Sequence, residues 1–261
     1  MDIVVLIKQV PDTASRIQDR VKDGAIDLEG VTWIVSPYDE YAVEEALRIK
    51  EAKGGTVTLL SVGPERSASA LKDMLALGAD EAIHIQDAAF EGLGPRALAA
   101  VLAAAIGKLP QAPDMVWAGW MAADQDQGLL PIYLASALDM PHVSFVTSIE
   151  VGEGSATARR EIEGGKEVVE VDLPAVFSAQ KGLNEVRYAS LKGIMAVKRK
   201  QIPVWDAAEL GIDVAALGSG GLTDVNISTP PERGAGRIIE GEPEDAAREL
   251  VRLLHEEAKV I

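Results

Sequence analysis

Four short apolar runs, at residues 3–7, 57–62, 82–85 and 115–118, alternate along the first half of the chain with helix-like segments at 41–53, 68–77, 96–108 and 132–138. Strands separated by crossover helices run parallel, and the scarcity of polar residues inside these runs marks a sheet covered on both faces. Gly78 stands where a helix C-terminal stop belongs. Between residues 143 and 178 the pattern changes to period-two alternation, in TSIEV, TARREI and KEVVEVDL, with Gly152, Gly154, Gly164 and Gly165 between them. That change predicts an antiparallel ribbon joined to the parallel sheet. The expected class is therefore α/β, a mostly parallel sheet with flanking helices, an added ribbon, and an extended C-terminal arm.

The expected division is residues 1–200 as the α/β body and 201–261 as the arm. After Lys200 the texture breaks at Pro203, at Gly218, Gly220 and Gly221, and again at Pro230, Pro231 and Gly234, before a helix from about 243 to 258. This stretch has too little apolar periodicity for a core of its own. Two readings stand: an arm that docks on a partner, and a linker ending in a helix that docks on its own chain.

Composition narrows the function. A chain of 261 residues, 48% hydrophobic and 25% charged, is long enough for one substantial core with an appendage. Its net charge of -16 and pI near 4.6 argue against nucleic acid as a partner, because phosphate binding needs a basic footprint. The lack of cysteine removes disulfides, thiolate metal sites and a thiol nucleophile, so redox chemistry here needs a bound cofactor. Lys8 cuts off the first apolar run, and residues 97–106 are too few to span a bilayer. The expectation is an unprocessed cytoplasmic protein with no direct membrane insertion.

In an open parallel sheet, ligands sit at the strand C-termini, and several of those ends carry suitable residues. Lys8 closes the first strand; Ser36-Pro37-Tyr38 precedes a helix; Ser61-Val62-Gly63-Pro64 turns a strand into a helix; Ala118-Gly119 ends the fourth run. Glycine lets backbone approach a ligand, and a helix N-terminus offers free N–H groups to an anion. Each is also an ordinary turn; their recurrence at one sheet edge is what points to a nucleotide. Neither G-x-x-x-x-G-K-[ST] nor a G-x-G-x-x-G after the first strand is present, so the binding mode differs from those of the phosphate loop and the usual dinucleotide fold. His84, His142 and His255 form no zinc-protease motif, and no G-x-S-x-G elbow occurs. No metal site is expected, since Asp124 and Asp126 lack further clustered ligands.

Residues 182–200, GLNEVRYASLKGIMAVKRK, form a second distinct region. Asn184 and Glu185 read as a turn or helix start, Ala189, Ile194 and Met195 as an apolar helix face, and Lys198, Arg199 and Lys200 as cations suited to a helix C-terminus. Spacing alone is compatible with an ordinary capped helix. The string, however, closely resembles the L-N-E-P-R-Y-A-S/T-L…I-M-x-A-x-K-K signature of the electron transfer flavoprotein beta subunit. Further matches are IVVLIKQVPD at 3–12, SPYDEYAVEEALRIKE at 36–51, LALGADEAIHI at 75–85, ARREIEGG at 158–165 and LPAV at 173–176. AGWMAADQDQGLLP at 118–131 is similar to the family's G-K-Q-A-x-D-x-D-T-G/A-Q-V loop.

The resemblance implies an adenine-nucleotide-binding α/β domain, of the adenine nucleotide alpha hydrolase-like kind, whose arm reaches onto an alpha subunit in a heterodimer. It implies an electron carrier rather than an enzyme, with FAD held mainly by the alpha subunit, exchanging electrons between a client dehydrogenase and an acceptor oxidoreductase. The beta pocket would hold AMP or, in bifurcating members, a second FAD. Candidate cofactor contacts are Leu6, Lys8, Ser36, Tyr38, Asp39 and Val62, then Gly119, Asp124, Asp126, Gln127, Gly128 and Leu130. Tyr38 aligns with the aromatic position that approaches the alpha-bound flavin ring. Gln127 and Leu129 stand where the family has threonine and glutamine; a hydroxyl and an amide suited to a phosphate are lost, and Gln127 substitutes in part whereas Leu129 does not. The recognition loop, 182–195, implies partner contacts by Leu183, Asn184, Glu185, Arg187, Tyr188, Leu191, Ile194 and Met195, with Leu191 as the anchor that enters an apolar pocket on the client. Val186 replaces the usual proline, relaxing the backbone there. Glu161 aligns with a residue that meets the mobile flavin domain, or is an exposed strand carboxylate. The rival reading is a stand-alone adenine-nucleotide sensor, for which the strand-end glycines suffice.

Overall fold

The computed structural model describes every residue except 16, 23, 219–226, 230, 232, 233 and 235. The expected breaks at Gly220, Gly221 and Pro230 lie outside the described residues. A nine-stranded sheet is built from β1 (Asp2–Leu6), β2 (Thr56–Val62), β3 (Glu81–Ile85), β4 (Met115–Gly119), β5 (His142–Val151), β6 (Ser155–Ile162), β7 (Gly165–Asp172), β8 (Ala175–Ala179) and β9 (Val204–Trp205). Their spatial order is β7-β6-β5-β8-β4-β1-β2-β3-β9. The pairs from β5 through β9 are parallel, and β5-β6-β7 is the antiparallel ribbon.

The helices are α1 (Pro37–Lys53), α2 (Ala68–Leu77), α3 (Pro95–Gly107), α4 (Leu130–Leu138), α5 (Leu191–Val197) and α6 (Pro243–Leu253), with short helical turns at Ala207–Leu210 and Val214–Leu217. Period-two alternation in β1 divides its side chains between two cores, as a doubly covered strand requires. Ile3, Val5 and Ile7 pack with Leu47 of α1 and Leu71 of α2, while Val4 and Leu6 pack with Leu102 of α3 and Leu134 of α4. Both faces of β1 are thus sealed and only its ends remain open.

The alternation of strands and helices is as the sequence predicts, with α1 starting earlier than the apolar pattern shows because Pro37 presets the first turn. The region up to residue 178 is not all ribbon. Its last run, AVFSA, is a fully buried strand inserted in parallel between β5 and β4, with Phe177 stacked on Trp117 at 5.1 Å. Five buried residues with no alternation give no periodic signal to separate such a strand from a ribbon's end. Past residue 200, β9 pairs in parallel with β3, and Trp205, Leu210, Ile212, Val214 and Leu217 pack against the α3/α4 core, so this stretch begins on the body of the molecule. α6 is strongly amphipathic, with Leu253 buried and Leu250 and Val251 exposed. Among the described residues no helix is long and apolar enough to cross a membrane.

Candidate functional site

Chain order reverses between β1 and β4, because the crossover from β1 leads to β2 on one side whereas β4 joins on the other. Loops leaving the two strands diverge there and a crevice opens at their C-terminal ends. It holds a cavity of about 420 Å³, floored by Leu6, Leu60, Val62 and Ala118, walled by Leu93, Leu98 and Leu102 of the α3 side, and covered by the loop after β4 from Trp120 to Leu129.

A single carboxylate ties the floor together. Asp39, buried in the first turn of α1, accepts the Lys8 N–H through Oδ2 (2.7 Å) and the Gly119 N–H through Oδ1 (2.9 Å), joining the ends of β1 and β4. Burial pushes its pKa up to about 7, while the two N–H donors and the Lys8 charge pull the other way. Gly119 is required here: a Cβ would lie 2.5 Å from Asp39 Oδ1 and 2.7 Å from the Tyr38 Cβ.

Two helix starts open onto the cavity. Gly92, Gly94 and Pro95 at the head of α3, and Leu129, Leu130 and Pro131 at the head of α4, line its wall. Neither start has a side chain capping its N–H groups. Uncapped helix N-termini carry free donors and partial positive charge, the combination that receives an anion. Lys8 is the one cationic side chain lining the cavity among the described residues. Its ammonium is engaged by Asp124 (2.8 Å) and by Gln125 Oε1 (3.3 Å) of the covering loop. That loop turns through left-handed backbone at Asp126 (φ 52°) and Gly128 (φ 62°), the latter beside the Trp120 ring.

Trp120 links the cavity to the outside. It lines the cavity, meets Tyr38 edge-on at 5.4 Å between ring centroids and Phe145 at 4.9 Å, and buries its indole N–H without a partner. Phe145 is itself held in left-handed backbone (φ 59°).

The second region packs on the same helix. Leu183 is buried, Asn184 donates to the Tyr41 carbonyl (3.0 Å) and to Glu45 (2.9 Å), and Arg187 grips Glu44 (2.8 Å through Nε) and Glu51. Glu51, the larger influence, and Glu44 raise the Arg187 pKa above its ordinary value. Beyond this clamp the chain turns outward. Tyr188 is 98% exposed, Leu191 83% and Met195 63%, with Ile194 also exposed. α5 begins only at Leu191, with the Ser190 hydroxyl accepting the Gly193 N–H (3.0 Å), so Ala189 precedes the helix and the apolar side chains at 194 and 195 face outward instead of forming a core face. Val197 alone of α5 is buried, and the helix lies so close to α2 that a Cβ at Gly193 would meet the Ala76 carbonyl.

The profile described as "Electron transfer flavoprotein domain" matches residues 23–210. The electron transfer flavoprotein subunit beta of Bacillus subtilis (strain 168) is 38% identical over the full length of both chains, and that of Thermoanaerobacterium thermosaccharolyticum is 40% identical over 98% of each. The chain belongs to the electron transfer flavoprotein family. A further relative, 38% identical over 92% of each chain, is the caffeyl-CoA reductase-Etf complex subunit CarD of Acetobacterium woodii. Members named as beta subunits cover this chain from end to end, and it has the beta-type role of an electron-carrying flavoprotein.

Of the residues that the flavoprotein resemblance singles out, the structure brings Leu6, Lys8, Asp39, Val62, Gly119, Gln127, Gly128 and Leu130 to the cavity. Ser36, Tyr38, Asp124 and Asp126 do not line it. Ser36 is buried behind the wall with its hydroxyl unpartnered, and its N–H donates to the Lys8 carbonyl (2.9 Å). Glu185 is exposed in the loop, and Glu161 is exposed on β6, 3.8 Å from Lys166. Sequence reasoning missed Trp120, Met121 and the whole α3 side. Gly94-Pro95 carries the same glycine-proline helix-start signal as Gly63-Pro64, and Gly63 instead serves the turn, its carbonyl meeting His84 Nε2 at 3.0 Å.

Proposed function

We propose that this chain is the nucleotide-holding and partner-docking half of a heterodimeric electron carrier, with an alpha subunit that supplies most of the FAD site. The observation that carries the reading is the cavity at the β1/β4 switch point, apolar within and flanked by two uncapped helix starts. An apolar slot takes an adenine ring, and free N–H donors at its rim take a phosphate. At about 420 Å³ the cavity falls in the size range of small-molecule and cofactor sites. Leu6, Val62 and Leu130 supply contact area, Gly119 and Gly128 allow close backbone approach, and Lys8, Gln125 and Gln127 are lining side chains able to meet a phosphate.

The flavin supplies the electron-carrying chemistry when bound; this chain orients and docks. We assign Tyr38, backed by Trp120, to the contact with the alpha-bound flavin, and the exposed Tyr188, Leu191, Ile194 and Met195 to a client dehydrogenase. Burying one leucine contributes roughly 1.5 to 3 kcal/mol, enough for a transient grip. Glu161 on the ribbon is assigned to the mobile flavin domain, and the arm past residue 217 to the alpha subunit. A cytoplasmic location is part of the proposal, on composition.

Co-expression with the alpha-type protein of the same source tests the reading. A yellow heterodimer supports it, whereas a colourless, nucleotide-bound homo-oligomer supports the sensor. A second reading, favoured by the relative named as part of a reductase complex, is a beta subunit with FAD in its own pocket. Two flavins per heterodimer would decide for it, one flavin with AMP against it.

A further inference from the structure

Lys8 is spoken for. Its ammonium lies 2.8 Å from the Asp124 carboxylate and 3.3 Å from Gln125 Oε1, and both partners sit on the loop that covers the cavity. No other cationic side chain lines the cavity among the described residues, so the lysine is the only mobile positive charge an incoming anion can meet there. The pair is partly exposed, at 39% for Lys8 and 23% for Asp124. Such pairs contribute little stability and exchange partners readily. Asp124 itself stays off the cavity wall, and Asp39, the lining carboxylate, is occupied by two backbone N–H groups and makes no hydrogen bond to the Lys8 ammonium.

We infer that Asp124 is a specificity-determining residue of this pocket, acting as a resident competitor for Lys8: a ligand phosphate must take the ammonium from Asp124, and the pocket therefore discriminates less between a nucleotide and its nucleoside than Lys8 would otherwise allow. This rests on the reading of the cavity as a nucleotide site. The covering loop is held down by the same contact, so exchange of Lys8 from Asp124 to phosphate frees the loop at the moment the ligand fills the space beneath it. Gln125, which bonds the same ammonium, shares the latch without carrying a charge.

The test is calorimetric titration of the full chain with AMP and with adenosine, in wild type, Asp124→Asn, Lys8→Met and the double variant. Asp124→Asn is expected to tighten AMP about fivefold and to change adenosine less than twofold. Lys8→Met is expected to narrow the ratio of AMP to adenosine affinity, leaving what the helix-start N–H groups supply, and to abolish the effect of Asp124→Asn. An unchanged ratio of AMP to adenosine affinity in Asp124→Asn overturns the competitor role while leaving the pocket reading intact. The same fivefold gain in the Lys8→Met background also overturns it, by showing that Asp124 repels phosphate directly. Failure of both ligands to bind any of the four proteins overturns the pocket reading and the inference together.

Discussion

The cavity and the docking loop are built as opposites, and both are braced by α1. At the cavity, a polar group is buried so that backbone is held: Asp39, in the first turn of α1, fixes the ends of β1 and β4. At the loop, apolar groups are exposed and charges hold the base: Glu44, Glu45 and Glu51, farther along α1, secure Arg187 and Asn184 while Tyr188 and Leu191 point outward. A buried acid without partners opposes folding, and an exposed leucine contributes nothing to it. On the proposed reading, their presence along one helix marks two places where the molecule forgoes stability for binding. It also explains why α1 shows so weak an apolar stripe, since three of its buried positions are acids.

The comparison predicts unequal responses to substitution. Asp39→Ala leaves the Lys8 and Gly119 N–H groups without their acceptor, and is expected to destabilise the fold by about 3 kcal/mol in urea denaturation. A loss below about 1 kcal/mol would show that the strand ends need no brace. Arg187→Gln takes the guanidinium from Glu44, whose side chain is 5% exposed and keeps only the backbone N–H of residue 187, and is expected to lower stability by about 2 kcal/mol. Its signature is faster proteolysis within 182–195 with the cavity's ligand affinity unchanged; equal loss at both regions would break the division of labour along α1.

A pH series sharpens the cavity side. The Asp39 carboxyl, at 3.8 when unfolded and about 7 when folded, stays neutral in the fold while the unfolded chain ionises. Its contribution is therefore fully present below pH 4 and is lost as pH rises towards 7. The stability of wild type relative to Asp39→Asn is expected to decline across that window and to level off above it, and parallel curves would contradict the assignment. The smallest effect on folding belongs to Leu191→Ala, expected within about 0.5 kcal/mol of wild type because the side chain is 83% exposed. Flavin content and heterodimer assembly should survive the change while electron exchange with the client slows, and an unaltered exchange rate removes Leu191 as the anchor.

The cavity floor was legible in sequence because strand-end residues are fixed by chain direction: once residues 3–7 and 115–118 are parallel strands, Lys8 and Gly119 must meet at one sheet edge. The walls were less legible. Trp120 and Met121 depart from the pattern that identifies their loop, and Leu93, Leu98 and Leu102 read as ordinary helix and loop apolars, since a residue facing an internal cavity has the same composition as one facing the core. On the docking loop the apolar residues at 194 and 195 carry helical spacing, yet face outward, because periodicity reports which residues share a face and not whether that face is covered. β8 was hidden for a related reason: strand insertion between β5 and β4 is a long-range fact with no local period.

The central claim is that the β1/β4 cavity holds an adenine nucleotide separate from the alpha-bound flavin, and a count of released ligands tests it most directly. Leu98 lines the cavity from α3, so Leu98→Trp fills the space without touching the flavin contact proposed for Tyr38. Chromatography of the denatured wild-type heterodimer is expected to show one AMP alongside one FAD, with Leu98→Trp retaining the FAD and losing the AMP. A wild-type complex that releases no adenine ligand beyond its FAD, or a Leu98→Trp complex that releases the same AMP, would contradict the account.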